Sequence, residues 1–427
     1  MKFLPIFCLL GALSVRPASA QTAVPLDEYR RQVLEYSHTL KQAEQSVQAA
    51  HETMRERQTG FLPRLSVDGD FSVNFKSRYA SDGESEKLLR PYSFSLQPAL
   101  VQSVYLGGSV RDAYRQSEVG YDLSQLRQQQ ALLEVAYLAE YNYWNLASNE
   151  ALLRVSTRYE EIVRAMYDIV KTRFDDGYVA KTDLLMIQTR LREAEFSRIR
   201  VENLYRVSLQ NFNILTGAEP DLPRSVSDSI MQPVVLPDRV TPEETFDRHP
   251  EYRMAHRQID YRRYGVRLVE SRFHPQLTAG VQGMWNPKTP NFNGRTELDG
   301  LTFLRLSVPI FHWGERRHAV ASARADLRSA EYALAQTADD LTLGISTAWT
   351  QIMEASIQID ISEANLEVAR ENLSLNTFSY NEGLLTILDV ISAQLSWLQA
   401  YTNAITANFN EKVAVAAYRK AAGILPR

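Results

Sequence analysis

Two spacings of apolar residues alternate along the chain. Short segments in which apolar and polar residues alternate predict β-strands with one apolar face, whereas longer tracts repeat apolar residues at intervals of three and four, as the seam of a coiled coil does. The seam of the first long tract runs through Tyr159, Ile162, Met166 and Ile169. Val163 and Val170 widen this seam. The pattern therefore predicts long paired helices joined to short amphipathic strands.

A repeat organises the helical tracts. Residues 108–217 align without a gap with residues 314–423, a displacement of 206 positions. The aligned glycine pairs are Gly108 with Gly314, Gly177 with Gly383, and Gly217 with Gly423. Each copy lies within a proline-free tract, as expected of a segment that is mostly helix. One long supersecondary unit therefore occurs twice in the chain. The fold prediction starts from this repeat, because an internal repeat decides the fold before any other feature.

Each copy predicts a long helix, a turn at its central glycine, and a returning helix about half as long. The first long helix would run from about Gly108 to Arg173, roughly 100 Å at 1.5 Å per residue. Its returning helix would run from about Asp183 to Thr216. A further helix precedes each copy, at about Leu26 to Arg57 and about Glu243 to Arg272. Each returning helix covers only about half the length of its long helix, and the extra helix would cover the other half.

Two pairs of predicted strands lie between these helices. Their apolar positions are Leu65, Val67, Phe71, Val73 and Phe75, then Tyr92, Phe94 and Leu96, then Leu277, Ala279, Val281 and Trp285, then Leu304, Leu306, Val308 and Ile310. Polar loops, Lys76 to Arg90 and Asn286 to Gly300, connect the strands of each pair. Strands with one apolar face suit a transmembrane barrel wall. Four strands cannot close such a barrel, and lipid leaves open sheet edges without hydrogen-bond partners, so we expect several chains to share one barrel.

The first twenty residues resemble a secretory signal peptide. Lys2 supplies the positive charge, Phe3 to Leu13 is mostly apolar, and Ala18-Ser19-Ala20 supplies small residues for cleavage. The apolar stretch is shorter than the roughly 20 residues that a membrane-spanning helix needs. The expected organisation is a signal peptide at 1–20, a first structural repeat at 21–220, a connector at 221–242 and a second repeat at 243–427.

Composition narrows the chemistry of the exported chain. The one cysteine, Cys8, lies in the predicted signal peptide, so no disulfide, thiolate metal site or thiol nucleophile is expected afterwards. Without Lys2 and Arg16 the chain has 45 basic and 51 acidic residues, a net charge of −6 that gives no indication of nucleic-acid binding. The seven histidines lack the close spacing of metal ligands, and no catalytic constellation or metal site is expected.

Each long helix starts with a similar motif, Leu106-Gly107-Gly108 and Trp313-Gly314, and the two turns have similar motifs at residues 176–184 and 382–390. Together with the duplication, these motifs give the chain a resemblance to the TolC family of outer-membrane efflux channels over nearly its whole predicted mature length. This resemblance implies a mainly α fold with a β-barrel portion. It further implies a homotrimer whose twelve strands form one barrel in the outer membrane, continued by coiled-coil hairpins as a helical tube through the periplasm.

The resemblance also implies partners and a function. The far end of the tube docks on a periplasmic adaptor, which belongs with an inner-membrane pump or ABC transporter in a tripartite efflux or type I secretion system. The chain would supply the passive exit duct, in contact with outer-membrane lipid, and would need no cofactor and perform no covalent chemistry. The cargo is not predicted.

The turn at each central glycine is the predicted periplasmic mouth. Glycine permits the positive φ that such a turn requires. The residues expected to dock the adaptor are Gly177, Tyr178, Val179, Gly383, Leu384 and Leu385. They combine these turns with neighbouring apolar side chains, which would be exposed at the tips.

Three residues near the turns are candidates for a gate. Asp183 and Asp389 each follow a turn glycine by six residues, where an acid can stabilise a helix N-terminus through the helix dipole. In a trimer, one such acid per chain facing the axis would form a ring that favours cations and binds divalent ions. The resemblance favours Asp389 for this ring. It also matches Tyr380 to a tyrosine that helps hold the mouth closed, with Asp183 among its possible partners.

Two departures and two alternatives stay open. Leu385 stands where the family has a basic residue, and Ser392 where it has a second acid, so the closed state would be held differently and the ring would be single.

A periplasmic coiled-coil scaffold without channel activity would explain the helices but not the strands. An autonomous porin would explain the strands but not the helices. Trp285 and Trp313 lie near predicted strand ends and suit an interfacial aromatic girdle.

Overall fold

A computed structural model describes residues 22–73, 75, 79–81, 86–88, 91–287 and 296–425. The predicted signal peptide lies outside the described residues. The described residues divide into two compact units: those within 1–40, 132–242 and 342–427 form a helical unit, and those within 41–131 and 243–341 form a strand-bearing unit. Within the described ranges, none of the helices is long and apolar enough to cross a membrane.

The eight α-helices of the described residues are α1 (Leu26–Tyr36), α2 (His38–Gln58), α3 (Ser109–Asp175), α4 (Lys181–Leu215), α5 (Pro242–Phe246), α6 (Pro250–Ser271), α7 (Glu315–Asn381) and α8 (Ile387–Ala421). The strands are β1 (Thr22–Val24), β2 (Arg64–Val73), β3 (Tyr79–Ser81), β4 (Glu86–Leu88), β5 (Tyr92–Leu106), β6 (Arg224–Val226), β7 (Gln276–Pro287) and β8 (Thr296–Ser307). The duplication is visible in the lengths, since α3 and α7 each have 67 residues and α4 and α8 each have 35. The predicted pair of long helical hairpins is confirmed.

The predicted helix from Leu26 to Arg57 is wrong in one respect, because it is broken at Ser37. The backbone there turns to φ −47° and ψ 116°, and the Ser37 hydroxyl accepts a hydrogen bond from the amide of Leu40 at 3.4 Å. Serine competes with the helix in this way because its side chain satisfies a backbone donor locally. The ring of Tyr36, just before the break, lies so close to Gly217 that a Cβ at Gly217 would come within 2.3 Å of it.

The corresponding helix of the second copy is also interrupted. The predicted span from Glu243 to Arg272 consists of α5 and α6, and α6 begins at Pro250. Proline has no amide hydrogen to continue a helix but is tolerated at its first position. The Nδ1 atom of His249 accepts a hydrogen bond from the amide of Glu251 at 3.3 Å and so caps α6.

The core of the helical unit lies between helices of both hairpins. Tyr159, Val163, Met166 and Val170 of α3 are buried, together with Ile187 of α4 and Val390 of α8. The predicted seam is therefore shifted: Ile162 and Ile169, expected at its centre, are only partly buried at its edge. The reason is that α3 packs against more than its own returning helix, so its apolar face is wider than a two-helix seam.

The sheet of the strand-bearing unit has the order β2-β5-β7-β8, and every neighbouring pair is antiparallel. The predicted loop from Asn286 to Gly300 is too long, because β7 and β8 pair as far as Pro287 with Thr296, and residues 288–295 lie outside the described residues. Within the predicted loop from Lys76 to Arg90, β3 and β4 pair as a small antiparallel ladder. Phe75, Val308 and Ile310 lie beyond the strand ends to which they were predicted to belong.

Candidate functional site

The two helical turns have the same backbone geometry. In the first, the amide of Tyr178 donates to the carbonyl of Arg173 at 2.8 Å and that of Gly177 to Phe174 at 3.0 Å. In the second, the amide of Leu384 donates to Ser379 at 2.9 Å and that of Gly383 to Tyr380 at 3.0 Å. This pair of bonds is the Schellman motif, which needs a left-handed residue at its glycine position.

The glycines meet that requirement, with φ of 81° at Gly177 and 75° at Gly383. Among the described residues, no heavy atom beyond their chain neighbours would lie within 4 Å of a Cβ added at either glycine. The need for glycine at these tips is therefore conformational and not steric. The tight reversal is what lets α4 and α8 return along the long helices.

Apolar side chains project from both turns. Tyr178 is 81% exposed and Leu384 is 74% exposed, whereas Leu385 is 39% exposed. Val179 differs from the others because it is partly buried and packs against the helical core. The predicted docking residues thus include a highly exposed pair, Tyr178 and Leu384, a less exposed Leu385, and Val179, which packs against the core.

Asp389 is part of a capping box at the start of α8. Its Oδ2 accepts hydrogen bonds from the Thr386 amide at 2.9 Å and the Thr386 hydroxyl at 2.6 Å, and the Thr386 side chain in turn accepts from the Asp389 amide. The side-chain and backbone donors of Thr386 lower the pKa of the Asp389 carboxyl below its usual range. Asp389 therefore has a structural task within its own helix, and its predicted place in a pore-lining ring stays a prediction.

Arg173 joins the two hairpin tips, a role that the sequence did not suggest. Its guanidinium donates to the carbonyl oxygens of Tyr380 at 3.1 Å and Asn381 at 2.8 Å, near the end of α7. It also lies 4.8 Å from the centre of the Tyr380 ring, within the range of a cation–π contact. These contacts link residues more than 200 positions apart and hold the end of α7 against the end of α3.

Tyr380 is buried beneath this arginine, but it does not hydrogen-bond to Asp183. Its hydroxyl has no hydrogen-bond partner in the part of the chain that the structure describes. Burial raises the pKa of the Tyr380 hydroxyl, the positive charge of Arg173 opposes the rise, and the negative charge of Asp183 adds to it. Asp183 thus acts on Tyr380 through its charge. Whether Tyr380 and Asp183 belong to a gate stays a prediction.

The four-stranded sheet exposes its apolar residues. The most exposed of them on the two outer strands are Leu65, Val67, Phe71, Leu298, Leu304 and Leu306, each at least 63% exposed. Near the sheet, Trp285 packs edge-on against Phe94 at 5.8 Å, and Trp313, at 90% exposure, packs against Phe311 at 4.9 Å. Such a surface is unusual for a soluble protein and is typical of a wall that faces lipid.

The described residues contain no group of three or more histidine, cysteine, aspartate or glutamate side chains that could hold a metal ion. Three features of the described residues can contribute to function: the two apolar tips, the contact between the hairpins, and the exposed amphipathic sheet.

Comparison with known proteins identifies the family. The model of the outer membrane efflux protein family matches residues 30–218 and 241–424, which include both copies of the repeat. The chain belongs to this family. The predicted resemblance is thereby confirmed, as is the predicted location in the outer membrane with a periplasmic extension.

The relatives of this outer membrane efflux protein differ in how much of their length it matches. Alkaline protease secretion protein AprF of Pseudomonas aeruginosa is 23% identical over 313 residues, which cover 70% of this chain and 63% of AprF. Protein CyaE of Bordetella pertussis is 23% identical over 264 residues, covering 60% and 55%. The chain thus spans less than two thirds of each. Outer membrane protein TolC of Vibrio cholerae is 22% identical over 462 residues, covering 99% of this chain and 96% of TolC.

Solved structures agree on the fold. A membrane protein from Pseudomonas aeruginosa superposes with a TM-score of 0.82 at 18% identity, covering 93% of this chain and 90% of that chain. The CmeC outer membrane channel of Campylobacter jejuni gives a TM-score of 0.80 at 18% identity, covering 99% and 94%. At these identities the likeness establishes the arrangement of helices and strands.

Proposed function

We propose that the chain is one subunit of a homotrimeric channel that forms the passive exit duct of a tripartite efflux pump or type I secretion system. In this proposal twelve strands, four from each chain, close one barrel in the outer membrane. The helical hairpins continue the duct into the periplasm, and a periplasmic adaptor opens its mouth. An inner-membrane pump or ABC transporter supplies the energy, so the chain itself needs no catalytic site.

The open sheet is the observation that carries the proposal. Strands β2 and β8 are the edges of the four-stranded sheet, and in the part of the chain that the structure describes each has a neighbour on one side only. Their outward residues are apolar and exposed, as at Phe71 and Leu304. In a bilayer an unpaired edge leaves several amide and carbonyl groups without partners, each at a cost of several kcal/mol. Pairing β2 of one chain with β8 of the next removes both edges, and a closed ring of chains removes them all.

The tips support the proposed adaptor contact. Tyr178 and Leu384 expose most of their large apolar side chains at the two turns. An aromatic and an aliphatic anchor of this kind are typical of a docking surface. AprF is named for the secretion of a protease, which is one cargo class that such a duct could carry. A periplasmic scaffold is the weaker candidate, because it would leave the exposed apolar sheet without a function.

Fractionation, particle mass and conductance together test the proposal. The full chain is expressed in a Gram-negative host, and its distribution between periplasm and outer membrane is measured. It is then purified in detergent, its particle mass is determined, and it is inserted into planar bilayers. We expect outer-membrane recovery, three chains per particle and discrete conductance steps. Recovery as a soluble periplasmic monomer would support the scaffold and reject the channel.

A further inference from the structure

A groove of about 570 Å³ opens beside the sheet in the strand-bearing unit. Its walls are the last turns of α2, the first turns of α3 and the last turns of α6. Gln116 of α3 donates a hydrogen bond to the Tyr261 carbonyl of α6 at 3.1 Å, which fixes the spacing of two of these walls. The groove is therefore a built feature of the fold.

Two arginines of this groove lack acidic partners. Arg57 and Arg272 both line it, both are exposed, and neither has a carboxylate within 4 Å in the part of the chain that the structure describes. Other arginines of the same unit are paired, such as Arg263 with Asp260 at 2.7 Å and Arg324 with Glu270 at 3.0 Å. Two uncompensated positive charges on one groove favour an anion between them.

The groove lies at the level where the lipid-facing strands end. Its lining includes Leu106, the last residue of β5, and Gln276, the first residue of β7, which are partners in the sheet. Gln276 also pairs with Ser307, the last residue of β8, so the segment that follows β8 leaves the sheet at the same end. Trp313 of that segment is almost fully exposed, and exposed tryptophan is typical of the headgroup layer of a membrane.

We propose that this groove binds the headgroup phosphate of an anionic phospholipid from the periplasmic leaflet. Guanidinium groups bind phosphate oxygens with paired, charge-assisted hydrogen bonds, so Arg57 and Arg272 hold the phosphate from two sides. The Ser109 hydroxyl offers a donor to the glycerol ester, and Leu106 and Leu268 face the first acyl carbons. The bound lipid thus contacts α2, α3 and α6 together, at the end of the sheet where β5 ends and β7 begins.

The inference rests on the proposed placement of the strands in lipid, but its test is separate from channel activity. The full chain is purified in a neutral detergent and titrated with phosphatidylglycerol or phosphatidylcholine, with and without excess inorganic phosphate, and bound lipid is counted by native mass spectrometry. The variants are the double substitution Arg57→Gln/Arg272→Gln and the control Arg262→Gln, which removes one exposed arginine of α6 outside the groove. Particle mass and single-channel conductance are measured on the same preparations.

We expect wild type to retain phosphatidylglycerol in preference to phosphatidylcholine. The double variant should bind it about 30-fold more weakly, because each arginine near an anionic headgroup contributes about one fivefold step. Arg262→Gln should bind as wild type does, and conductance should not change in either variant. If wild type shows no conductance, the proposed channel is rejected, whereas the lipid measurement still tests the groove.

Four results would overturn the lipid site. The first is equal retention of the two lipids, and the second is an equal loss of lipid binding in Arg262→Gln and in the double variant. The third is displacement of the lipid by excess inorganic phosphate. The fourth is dissociation of the particle in the double variant with unchanged lipid retention. Displacement by phosphate would mean a site for free anions. Dissociation would mean that a second copy of the chain fills the groove.

Discussion

The guanidinium of Arg173 lies 4.8 Å from the centre of the Tyr380 ring and donates a hydrogen bond to the carbonyl oxygen of the same residue at 3.1 Å. One side chain at the end of α3 thus covers the ring and binds the backbone at the end of α7. Because this contact joins the two hairpins of one chain, we expect it to resist their separation at the proposed periplasmic mouth.

Arg173→Gln should loosen the second tip. The substitution removes two charge-assisted hydrogen bonds and the cation–π contact, which together contribute about 1–2 kcal/mol at a partly exposed site. The amides of Gly383 and Leu384 should then exchange roughly 5- to 30-fold faster in a hydrogen-exchange measurement on the full chain. Lys171→Gln is the control, since Lys171 is an exposed cation of the same helix end. Equal acceleration in both variants would count against the contact.

Two substitutions at Asp389 can distinguish its role in capping α8 from the effect of its negative charge. Asp389→Asn keeps an acceptor for Thr386 but removes the negative charge, whereas Asp389→Ala removes both. If Asp389 lines the pore, both variants should weaken block by divalent cations in planar bilayers, and only Asp389→Ala should also destabilise the start of α8. Asp183→Asn should leave most of the block in place. Unchanged block in both Asp389 variants would assign the residue to capping alone.

The same capping box gives a pH dependence. Hydrogen bonds from Thr386 lower the folded-state pKa of Asp389, so its stabilising contribution is complete above the unfolded-state pKa, about 3.9. The contribution is lost as the pH falls through the lower folded-state pKa. Hydrogen exchange at the start of α8 should therefore be constant from neutral pH down to about pH 4, after correction for the intrinsic rate, and should rise below it. Asp389→Ala should show no such change.

Two kinds of glycine should respond differently to alanine. A Cβ at Gly177 meets no other atom of the described residues, so Gly177→Ala should lower the free energy of unfolding by only about 1–2 kcal/mol, because of its left-handed backbone. Gly107 combines a φ of 65° with a Cβ position only 2.5 Å from the Ser271 carbonyl oxygen, so Gly107→Ala should cost more than about 3 kcal/mol. Thermal unfolding in detergent compares them. A larger loss for Gly177→Ala would contradict the steric reading of the two sites.

Replacing the exposed tip residues should abolish the proposed adaptor contact and leave the fold intact. Tyr178 and Leu384 are largely solvent-exposed, so Tyr178→Ser/Leu384→Ser should change the melting temperature little. A photocrosslinker at Lys181, beside the first tip, should capture a periplasmic protein in the wild-type background, and the capture should disappear in the double variant. Leu388→Ser, an exposed position within α8, serves as the control. Persistence of the crosslink in the double variant would place docking elsewhere.

The helices and strands could be predicted because their signals are local. The repeat and the proline-free tracts gave α3, α4, α7 and α8 nearly to their observed ends, and alternation located the strands. Ser37 was missed because its break depends on a side-chain hydrogen bond that competes with the helix. The strand ends at Pro287 and Thr296 were missed because pairing continues beyond the apolar alternation.

The candidate site was predictable only in part. The spacing Thr386-x-x-Asp389 is a capping-box signal, and it could have shown that the acid acts on its own helix. Arg173 carried no such signal, since its acceptors are backbone carbonyls more than 200 positions away. The same limit applies to Arg57 and Arg272, whose common groove exists only once α2 and α6 flank the first turns of α3.

Pairing of β2 with β8 between chains is the central claim, and disulfide crosslinking tests it most directly. Cys8 is the only cysteine of the sequence, so a cysteine at Val67 of β2 can be combined in turn with one at each position of β8. Within one chain β5 and β7 separate these strands by roughly 14 Å, which is too far for a disulfide. The account predicts oxidised species of two and three chains at neighbouring positions of β8. A chain that remains single at every position would contradict it.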